Sequence, residues 1–331
     1  MAPWFLNRSF IASQYRNLPV VPGDCTGQTY IVTGSNTGLG FEAAKHFVRL
    51  GAARVIIAVR SASKGNEAKE AIESATGRTG VAEVWELDLA SNNSIRAFAS
   101  RASKELDRID AVVENAGVAL AAWTEAEGTE TTIQVNVIGT FLLAFLLLPT
   151  LERSARKWSI TPHLTIVSSG VQAWAKFAEG QEDDIFAALA TPSAENMADR
   201  YPVSKLMECF AVRELARLLP VSRSGVVVNA LSPGLCYSDL ARNVSWFQWL
   251  GLASVRLLVA RSAEMGSRTL LHAAVAGPES HGLLCGSCEI YPGGLEAYEV
   301  TPERERMQKK VWEQLVAKLE SIEPGCVRSV V

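Results

Sequence analysis

Residues 29–50, which read TYIVTGSNTGLGFEAAKHFVRL, constrain the fold more than any other part of the chain. The first five are β-branched, aromatic or aliphatic, as is typical of a strand buried on both faces. From Gly38 onward apolar residues recur at helical spacing, which predicts a helix. The turn between strand and helix contains Gly34, Gly38 and Gly40 in the spacing GxxxGxG. Such a turn offers free N–H groups and the positive end of a helix dipole, which together can bind a phosphate.

Each glycine of this turn has its own predicted role. Gly34 permits a tight backbone turn, Gly38 lets the main chain approach a phosphate, and Gly40 lets the helix pack close to the strand. A glycine-rich turn on its own is weak evidence for a nucleotide site, because many such turns are only tight connections. The other motifs of the chain decide between these two interpretations.

The composition argues against several classes of function. Of the 331 residues, 48% are hydrophobic and 20% are charged, as in ordinary soluble globular proteins. The net charge of −3 gives no reason to expect nucleic acid or another polyanion as a partner. Six scattered cysteines predict reduced thiols in an intracellular, cytoplasmic protein. Cys285 and Cys288 form a lone CxxC without a second pair or a nearby His, so no metal site is predicted.

No membrane-spanning segment is predicted. The apolar stretch Trp4-Phe5-Leu6 near the N-terminus is too short for a signal peptide. Residues 141–148 are strongly apolar, but this run is less than half of what a bilayer span needs. It is therefore interpreted as part of a buried helix.

Apolar strand patterns alternate with helical ones along the chain. The predicted strands are 29–33, 54–59, 81–87, 110–114, 164–167, 226–230 and 288–291, and the predicted helices include 38–50, 64–74, 127–151 and 201–219. This alternation predicts an α/β fold with a doubly wound parallel sheet, a Rossmann fold of about seven strands with helices on both faces. Residues 28–295 are assigned to this single catalytic domain. A leader without sustained periodicity (1–27) precedes it, and a C-terminal helix and tail (296–331) follow it.

Several polar residues follow the strand ends, at the edge where a doubly wound sheet binds its ligands. Tyr201 and Lys205 are four residues apart, which places a phenol and an ammonium one turn from each other on a helix. By itself such a pair is usually a solvated helix face. Ser169 follows the strand 164–167, and Asn136 lies on the preceding long helix. All four side chains are predicted to face the same edge of the sheet.

In these motifs the chain resembles the short-chain dehydrogenase/reductase family, over most of its length. Residues 33–40 match the family's TGxxxGxG, residues 115–117 its NAG motif and residues 233–234 its PG turn. The spacing GxxxGxG favours this branch over the sugar epimerases, which usually have GxxGxxG. One departure is Glu114, which stands where many members have Asn or an apolar residue.

The resemblance extends to one group within the family. It lies in Leu206 and in residues 213–216, 231–234 and 280–282. These positions are similar to the retinol-dehydrogenase-like group and, within it, to the reductases of fungal secondary-metabolite clusters.

The resemblance implies a catalytic tetrad of Asn136, Ser169, Tyr201 and Lys205. Tyr201 is the implied acid/base, and Lys205 together with the charged nicotinamide ring would favour its phenolate. Ser169 would hold the substrate oxygen, Lys205 would also bind the nicotinamide ribose, and Asn136 would hold a water that connects Lys205 to solvent. Without the resemblance, Asn136 reads as an amide at a helix kink and Ser169 as part of a strand-end turn.

The cofactor prediction rests on the end of the second strand. An NAD enzyme has an acid there for the adenosine 2′-hydroxyl, whereas this strand ends at Arg60, with Lys64 following. Two cations suit a 2′-phosphate, so NADP(H) is preferred over NAD(H); the alternative is an ordinary solvated Arg–Lys pair. The predicted cofactor-binding residues are Gly34, Ser35, Asn36, Gly38, Leu39, Gly40, Arg60, Lys64, Asp88, Leu89, Asn115, Ala116, Gly117, Tyr201, Lys205, Pro233, Gly234, Leu235 and Ser238.

Residues 235–261 occupy the place of the family's substrate lid. Their aromatic and leucine content suggests a bulky apolar or aromatic metabolite, such as a polyketide-like intermediate, or peripheral contact with a membrane surface. The simpler alternative is a lid helix buried against the domain. The helix around residues 141–148 is apolar on every side, which predicts either a homodimer, formed as in relatives that pair this helix with its symmetry mate, or burial beneath the leader.

The predicted function is NADP(H)-dependent interconversion of a ketone or aldehyde and an alcohol. The alternatives are a retinol or lipid carbonyl reductase at a membrane surface, and a dinucleotide-sensing protein without catalysis. The sensor is disfavoured because such proteins usually lose the Tyr or the Lys, and this chain has all four tetrad residues. A hydrolase is disfavoured because Ser169 lacks a GxSxG elbow.

Overall fold

A mostly parallel sheet forms the centre of the structure, a computed structural model that describes residues 8–21, 23–192, 196–237, 259–291 and 301–331. The strands of the sheet are β1 (Thr29–Thr33), β2 (Arg54–Val59), β3 (Ala82–Glu86), β4 (Ala111–Glu114), β7 (His163–Val167), β8 (Val227–Ser232), β9 (Leu284–Gly286) and β10 (Glu289–Ile290). A separate hairpin consists of β5 (Glu125–Ala126) and β6 (Thr129–Glu130).

The strands lie in the order β10-β9-β8-β7-β4-β1-β2-β3, and every pair except β9–β10 is parallel. The chain winds outward in both directions from β1 and β4, so the predicted doubly wound sheet is confirmed. The last predicted strand, 288–291, corresponds to β10 (Glu289–Ile290), but it is antiparallel and is not the seventh parallel strand. Ser287 and Cys288 have φ of 52° and 57°, which turns the chain back, so the seventh parallel strand is β9 and β10 pairs with it antiparallel.

Helices cover both faces of the sheet. They are α1 (Arg8–Gln14), α2 (Gly38–Arg49), α3 (Ala62–Thr76), α4 (Asn92–Glu105), α5 (Thr131–Ile133), α6 (Thr140–Trp158), α7 (Ile185–Ala190), α8 (Met197–Leu218), α9 (Val221–Ser224), α10 (Ala263–Ala273) and α11 (Pro302–Ile322). A π-helical turn, Gln134–Gly139, joins α5 to α6. The helix predicted over 127–151 begins later, at Thr131, because Glu127 and Gly128 have positive φ and form the turn between β5 and β6. It also extends further, to Trp158.

Two apolar cores lie on opposite faces of the sheet. Alternate strand residues point to each side, as Ile31 does to one core and Tyr30 to the other. The first core contains α4, α6, α8 and α11, and the second contains α2, α3 and α10. Both faces of the parallel strands are therefore covered, which explains why β1 is apolar or β-branched at every position.

Helix α6 is buried inside the molecule. It packs against α4, and its Phe145 ring lies 6.1 Å from the ring of Trp312 on α11. Among the described residues, only the helical run Thr131–Trp158 is long and apolar enough to span a bilayer, and 89% of its most apolar window is buried in the protein. Such burial is typical of a core helix. A homodimer stays a prediction.

The described part of the N-terminal leader, residues 8–21 and 23–27, packs elsewhere, so residues 141–148 are not buried beneath it as the second alternative predicted. It contains helix α1, which the sequence pattern did not indicate. Gln14 donates to the carbonyls of Leu235 (2.8 Å) and Val259 (3.3 Å), and Arg16 pairs with Glu289 on β10. The leader therefore packs against the segments that follow β8 and β9, while α11 takes the place beside α6 and α8 that the leader was expected to occupy.

Candidate active site

The glycine turn lies where the carboxyl ends of the parallel strands meet. Gly34 has φ of +65°, a left-handed conformation that favours glycine. Its N–H donates to the carbonyl of Ala58 on β2 (2.8 Å). A Cβ at Gly34 would lie 2.9 Å from the Cα of Ala116. Position 34 therefore requires glycine for two reasons, its positive φ and its close contact with the NAG motif.

The N-terminus of α2 is suited to an anion. Gly38 has φ of +60°, and no heavy atom lies within 4 Å of the position of a Cβ there. The Thr37 side chain makes no capping hydrogen bond to the helix, and the first turn contains no acid. The first N–H groups and the positive end of the helix dipole can therefore meet phosphates, so the turn fits the pyrophosphate of a dinucleotide.

Gly40 lets α2 pack against the ends of two strands. A Cβ there would lie 2.5 Å from Nδ2 of Asn115 and 2.8 Å from the carbonyl oxygen of Gly34. Asn115 Nδ2 donates to the carbonyl of Thr33 (2.9 Å), and the hydroxyl of Thr33 accepts from the N–H of Ala116 (2.9 Å). The NAG motif and the glycine turn thus form one hydrogen-bonded unit at the ends of β1 and β4.

The predicted adenosine contacts lie at the ends of β2 and β3. Arg60 and Lys64 are exposed, and neither forms an ion pair with any described residue. Asp88 follows β3; its carboxylate accepts from the N–H of Ala90 (2.9 Å), and its own N–H donates to Ser94 Oγ (2.9 Å). These contacts hold Asp88 at the carboxyl edge.

The other predicted cofactor residues occupy the same edge, with one outside the described residues. Ser35 is buried and its hydroxyl donates to the carbonyl of Val32 (2.7 Å), so this hydroxyl stabilises the turn. Leu89 is buried, and its carbonyl oxygen would lie 2.3 Å from a Cβ at Gly139 in the π turn. Gly234 in the PG turn has φ of +82°. Ser238 and most of the predicted lid (238–258) lie outside the described residues.

Three residues of the predicted tetrad lie close together. Tyr201 and Lys205 lie on α8, with the Lys205 Nζ 5.7 Å from the centroid of the Tyr201 ring. Ser169, directly after β7, caps a 3₁₀ turn, Gly170–Trp174, and its side chain is near enough to Tyr201 to lower the pKa of the phenol. A phenol, a hydroxyl and an ammonium therefore lie together beside the glycine turn.

Asn136, the fourth predicted residue, holds the loop after β4 against α8. It lies in the π turn, its Oδ1 accepts from the N–H of Val118 (2.9 Å), and its Nδ2 donates to the Val118 carbonyl (2.9 Å) and to Ser204 Oγ (3.0 Å). A Cβ at Gly117 would lie 3.2 Å from Asn136 Oδ1 and 3.5 Å from Lys205 Nζ. Both amide hydrogens are engaged by protein atoms, so the kinked-helix interpretation describes its contacts well, and the water-holding role stays a prediction.

The sequence analysis gave no role to two buried acids, of which one pairs with Lys205 and the other was noted only as a departure from the family pattern. The Lys205 Nζ donates to the carbonyl of Val167 (2.8 Å) and to Oε1 of Glu208 (2.7 Å). Glu208 is buried, and Glu114 at the end of β4 is buried as well. Two signals were available: Glu208 follows Lys205 at the i+3 position of a helix, and Glu114 ends an otherwise apolar strand. We call Lys205, Glu208 and Glu114 the lysine cluster.

Burial dominates the titration of Tyr201. It raises the pKa of the phenol above its ordinary value; the charge of Lys205 and the neighbouring Ser169 side chain lower it, whereas Glu208 raises it. Burial alone would lower the pKa of Lys205, but Glu208 raises it above its ordinary value. Lys205 therefore lowers the pKa of Tyr201, as the resemblance implies, but in the protein without its cofactor burial outweighs this effect. Tyr201 is a phenol, and Lys205 an ammonium, at neutral pH.

A second ionic group, also missed, adjoins Tyr201 along α8. Arg200 pairs with Glu179 (3.2 Å) and lies 3.7 Å from Glu130, with all three side chains at most 8% exposed. Because Glu179 lies in the segment after Ser169 and Glu130 ends the β5–β6 hairpin, this group ties both segments to α8. We call Arg200, Glu130 and Glu179 the arginine cluster.

Comparisons with known proteins show which family the chain is similar to. A family model described as short chain dehydrogenase matches residues 28–160. A short chain dehydrogenase/reductase of Cryptosporiopsis sp. (strain 8999) is 42% identical over 322 residues, which cover 96% of this chain and 98% of that protein. A short-chain dehydrogenase of Penicillium roqueforti (strain FM164) is 40% identical over 322 residues, covering 96% of this chain and 84% of that protein.

Solved structures share the fold. A short chain dehydrogenase of Shigella flexneri 2a complexed with NADP has a TM-score of 0.59 at 22% identity, covering 81% of this chain and 100% of that one. The Pseudomonas aeruginosa RhlG/NADP active-site complex has a TM-score of 0.59 at 24% identity, covering 80% of this chain and 96% of that one.

Proposed function

Since the chain belongs to the short-chain dehydrogenase/reductase family, we propose that it is an NADP(H)-dependent oxidoreductase that interconverts a ketone or aldehyde and an alcohol, with Tyr201 as the acid/base. One observation carries this proposal: the Tyr201 phenol lies beside Ser169 and one helical turn from Lys205, whose Nζ is 5.7 Å from the centroid of the phenol ring. These groups lie at the sheet edge that also carries the phosphate-fitting turn.

The residues divide the work of carbonyl reduction between them. When bound, NADPH supplies the hydride that reduces the carbonyl carbon. Ser169 donates a hydrogen bond to the carbonyl oxygen and so holds it beside Tyr201. Tyr201, protonated at neutral pH because burial raises its pKa, donates its proton to this oxygen as negative charge develops there. Lys205 stabilises the phenolate that remains, and in alcohol oxidation this phenolate accepts the proton of the alcohol.

Preference for NADP(H) over NAD(H) is supported by the end of β2. Arg60 and Lys64 are exposed there without ion-pair partners among the described residues, and the position that an NAD enzyme fills with an acid is Arg60. A 2′-phosphate would give both cations a charged partner.

A bulky apolar or aromatic substrate is supported by two exposed aromatic side chains. Trp174, in the 3₁₀ turn that Ser169 caps, is 37% exposed, and Tyr237, just after the PG turn, is 43% exposed. The fungal short-chain dehydrogenases to which the chain is similar favour an intermediate of secondary metabolism. The membrane-surface alternative depends on residues 238–258, which lie outside the described residues.

The decisive test is Tyr201→Phe on a carbonyl that the wild type reduces. Such a substrate can be found by following NADPH consumption over aromatic, polyketide and retinoid carbonyls. Tyr201→Phe removes one hydroxyl and keeps the shape of the site, so turnover should fall by about 10²–10⁴ while NADPH still binds. Wild-type turnover in this variant would contradict the proposal and favour the dinucleotide-sensing alternative.

A further inference from the structure

We propose, resting on the function above, that Glu208 is a positioning residue for the reaction. Its carboxylate holds the Lys205 ammonium beside Tyr201 and sets the pH range in which Tyr201 exchanges its proton. Neither acid belongs to the predicted tetrad. The distances, the burial and the unpaired oxygens of the two acids support this role.

The protein engages two of the three ammonium hydrogens of Lys205. One donates to the carbonyl of Val167 at the end of β7 (2.8 Å) and one to Glu208 (2.7 Å). The side chains of Lys205 and Glu208 are 5% and 2% exposed, so water screens this charge-assisted hydrogen bond very little. Glu208 therefore fixes the ammonium and leaves its third hydrogen for the side of Tyr201 and the ribose.

Glu114 approaches Glu208 from the end of β4. It is 2% exposed, and its charge interacts with that of Glu208. Both oxygens of Glu114 and the Oε2 of Glu208 lack a hydrogen-bond partner among the described residues. The other titratable groups near the two acids are Tyr201, Lys205 and Cys209, all on α8, and Ser168 and Ser169, directly after β7, contribute hydroxyls. The ammonium is thus paired with Glu208, and Glu114 adds a second buried carboxyl group that interacts with Glu208.

The balance of charge decides which acid holds a proton. With both acids ionised, the cluster would bury one unpaired negative charge, which is costly. Burial, with a smaller effect from Glu208, holds the pKa of Glu114 well above its usual range, so Glu114 stays protonated. Burial raises the pKa of Glu208 to about 7, against the opposing effect of Lys205. Glu208 is therefore the acid whose charge changes near neutral pH.

The charge of Glu208 affects the pKa of Tyr201 directly, and it also acts through Lys205, with which Glu208 is paired. An ionised Glu208 offsets the ammonium charge that favours the phenolate, so the phenol keeps its proton to higher pH. A neutral side chain at this position would leave the charge of Lys205 unopposed. Tyr201 would then act as a base at lower pH.

The test is the pH profile of kcat for alcohol oxidation in Glu208→Gln, whose amide oxygen can still accept from Lys205. In this profile, the limb on which kcat rises as Tyr201 loses its proton should move to lower pH by about one unit. The NADPH dissociation constant should stay unchanged. Glu214→Gln is the matched control, because Glu214 is also 2% exposed on α8 and is paired, with Arg217. Its profile should be that of the wild type. An unmoved limb in Glu208→Gln, or an equal shift in Glu214→Gln, would overturn the proposal.

A second variant keeps the test available if Glu208→Gln does not fold. Glu208→Asp keeps the charge but ends one methylene short of Lys205, so we expect weaker NADPH binding with the wild-type limb retained; wild-type affinity would overturn the positioning role. Failure of the proposed function gives a different result, since Tyr201→Phe would then turn over at the wild-type rate. If only this inference fails, Tyr201→Phe is still impaired while the Glu208→Gln profile stays in place.

Discussion

Two buried ionic clusters adjoin Tyr201 on α8, and they differ in how their acids are hydrogen-bonded. In the arginine cluster, the oxygens of Glu130 accept from the N–H groups of Thr132 (2.9 Å) and Ile133 (3.2 Å), and Glu179 accepts from Asn196 (3.0 Å). In the lysine cluster, three carboxyl oxygens have no partner among the described residues. Burial is the same in both, so burial alone does not distinguish them.

The difference indicates separate roles. Backbone and amide donors satisfy the acids of the arginine cluster, which suits a permanent link between segments, although Arg200 Nε and Nη2 have no hydrogen-bond partner among the described residues. In the lysine cluster, one oxygen of Glu208 has no donor, and the pKa of this acid, raised to about 7, lets it exchange a proton near neutral pH. A buried ion pair is therefore a sign of function when the oxygens of its acid lack donors and its cation lies beside the reacting group.

The largest expected effect comes from breaking the arginine cluster with Arg200→Met. Two acids would remain buried without a cation, so the free energy of unfolding should fall by about 3–5 kcal/mol, measured by urea denaturation. Arg156→Met is the control: Arg156 pairs with Glu152 at the surface and is 69% exposed, so the loss should stay within about 0.5 kcal/mol. A loss below about 1 kcal/mol in Arg200→Met would show that this cluster is not a structural link.

Substitution of the exposed Arg60 should have an effect of intermediate size. Arg60→Ala removes a charge that no described residue pairs with, so stability should change little. NADPH affinity should fall by about ten- to a hundredfold, because one charge-assisted contact to the 2′-phosphate is lost, while NADH affinity should hardly change. Fluorescence titration of both cofactors measures this, with Lys69→Ala, at a half-buried position on α3, as control. Equal affinities of the wild type for NADPH and NADH would contradict the cofactor proposal.

The smallest effect is expected in Glu114→Gln, as a change in how steeply the free energy of unfolding depends on pH. An unfolded Glu ionises near about pH 4.3, whereas folded Glu114 keeps its proton well above that, so the folded state binds more protons. Wild-type stability should therefore fall as pH rises through this interval, by up to about 1.4 kcal/mol per pH unit. Glu114→Gln removes this loss, so its stability relative to the wild type should rise with pH in urea unfolding. Exposed Glu86→Gln should keep the wild-type slope, and parallel curves for Glu114→Gln would mean that Glu114 does not keep its proton in the folded state above its ordinary pKa.

Much of the fold was predictable from local patterns. Strand β2 has the predicted bounds, and helix α2 begins at the predicted Gly38, because burial on both faces and helical periodicity leave their marks on consecutive residues. The predicted bounds are wrong where the backbone conformation of two or three residues determines the path of the chain. Positive φ at Glu127 and Gly128 makes a hairpin from the start of a predicted helix, and positive φ at Ser287 and Cys288 moves the last parallel strand upstream.

The sequence alone determined the strand–turn–helix unit, the doubly wound sheet and the motif residues that meet at its edge, since spacing along one chain segment specifies each of them. Only the tertiary structure decided that α11 lies beside α8, that the leader packs on the PG turn, and that Glu114 and Glu208 come together behind Lys205. The physical reason is that these contacts join segments far apart in the chain. Their energies depend on burial and on the charges brought into contact, and no local periodicity records either.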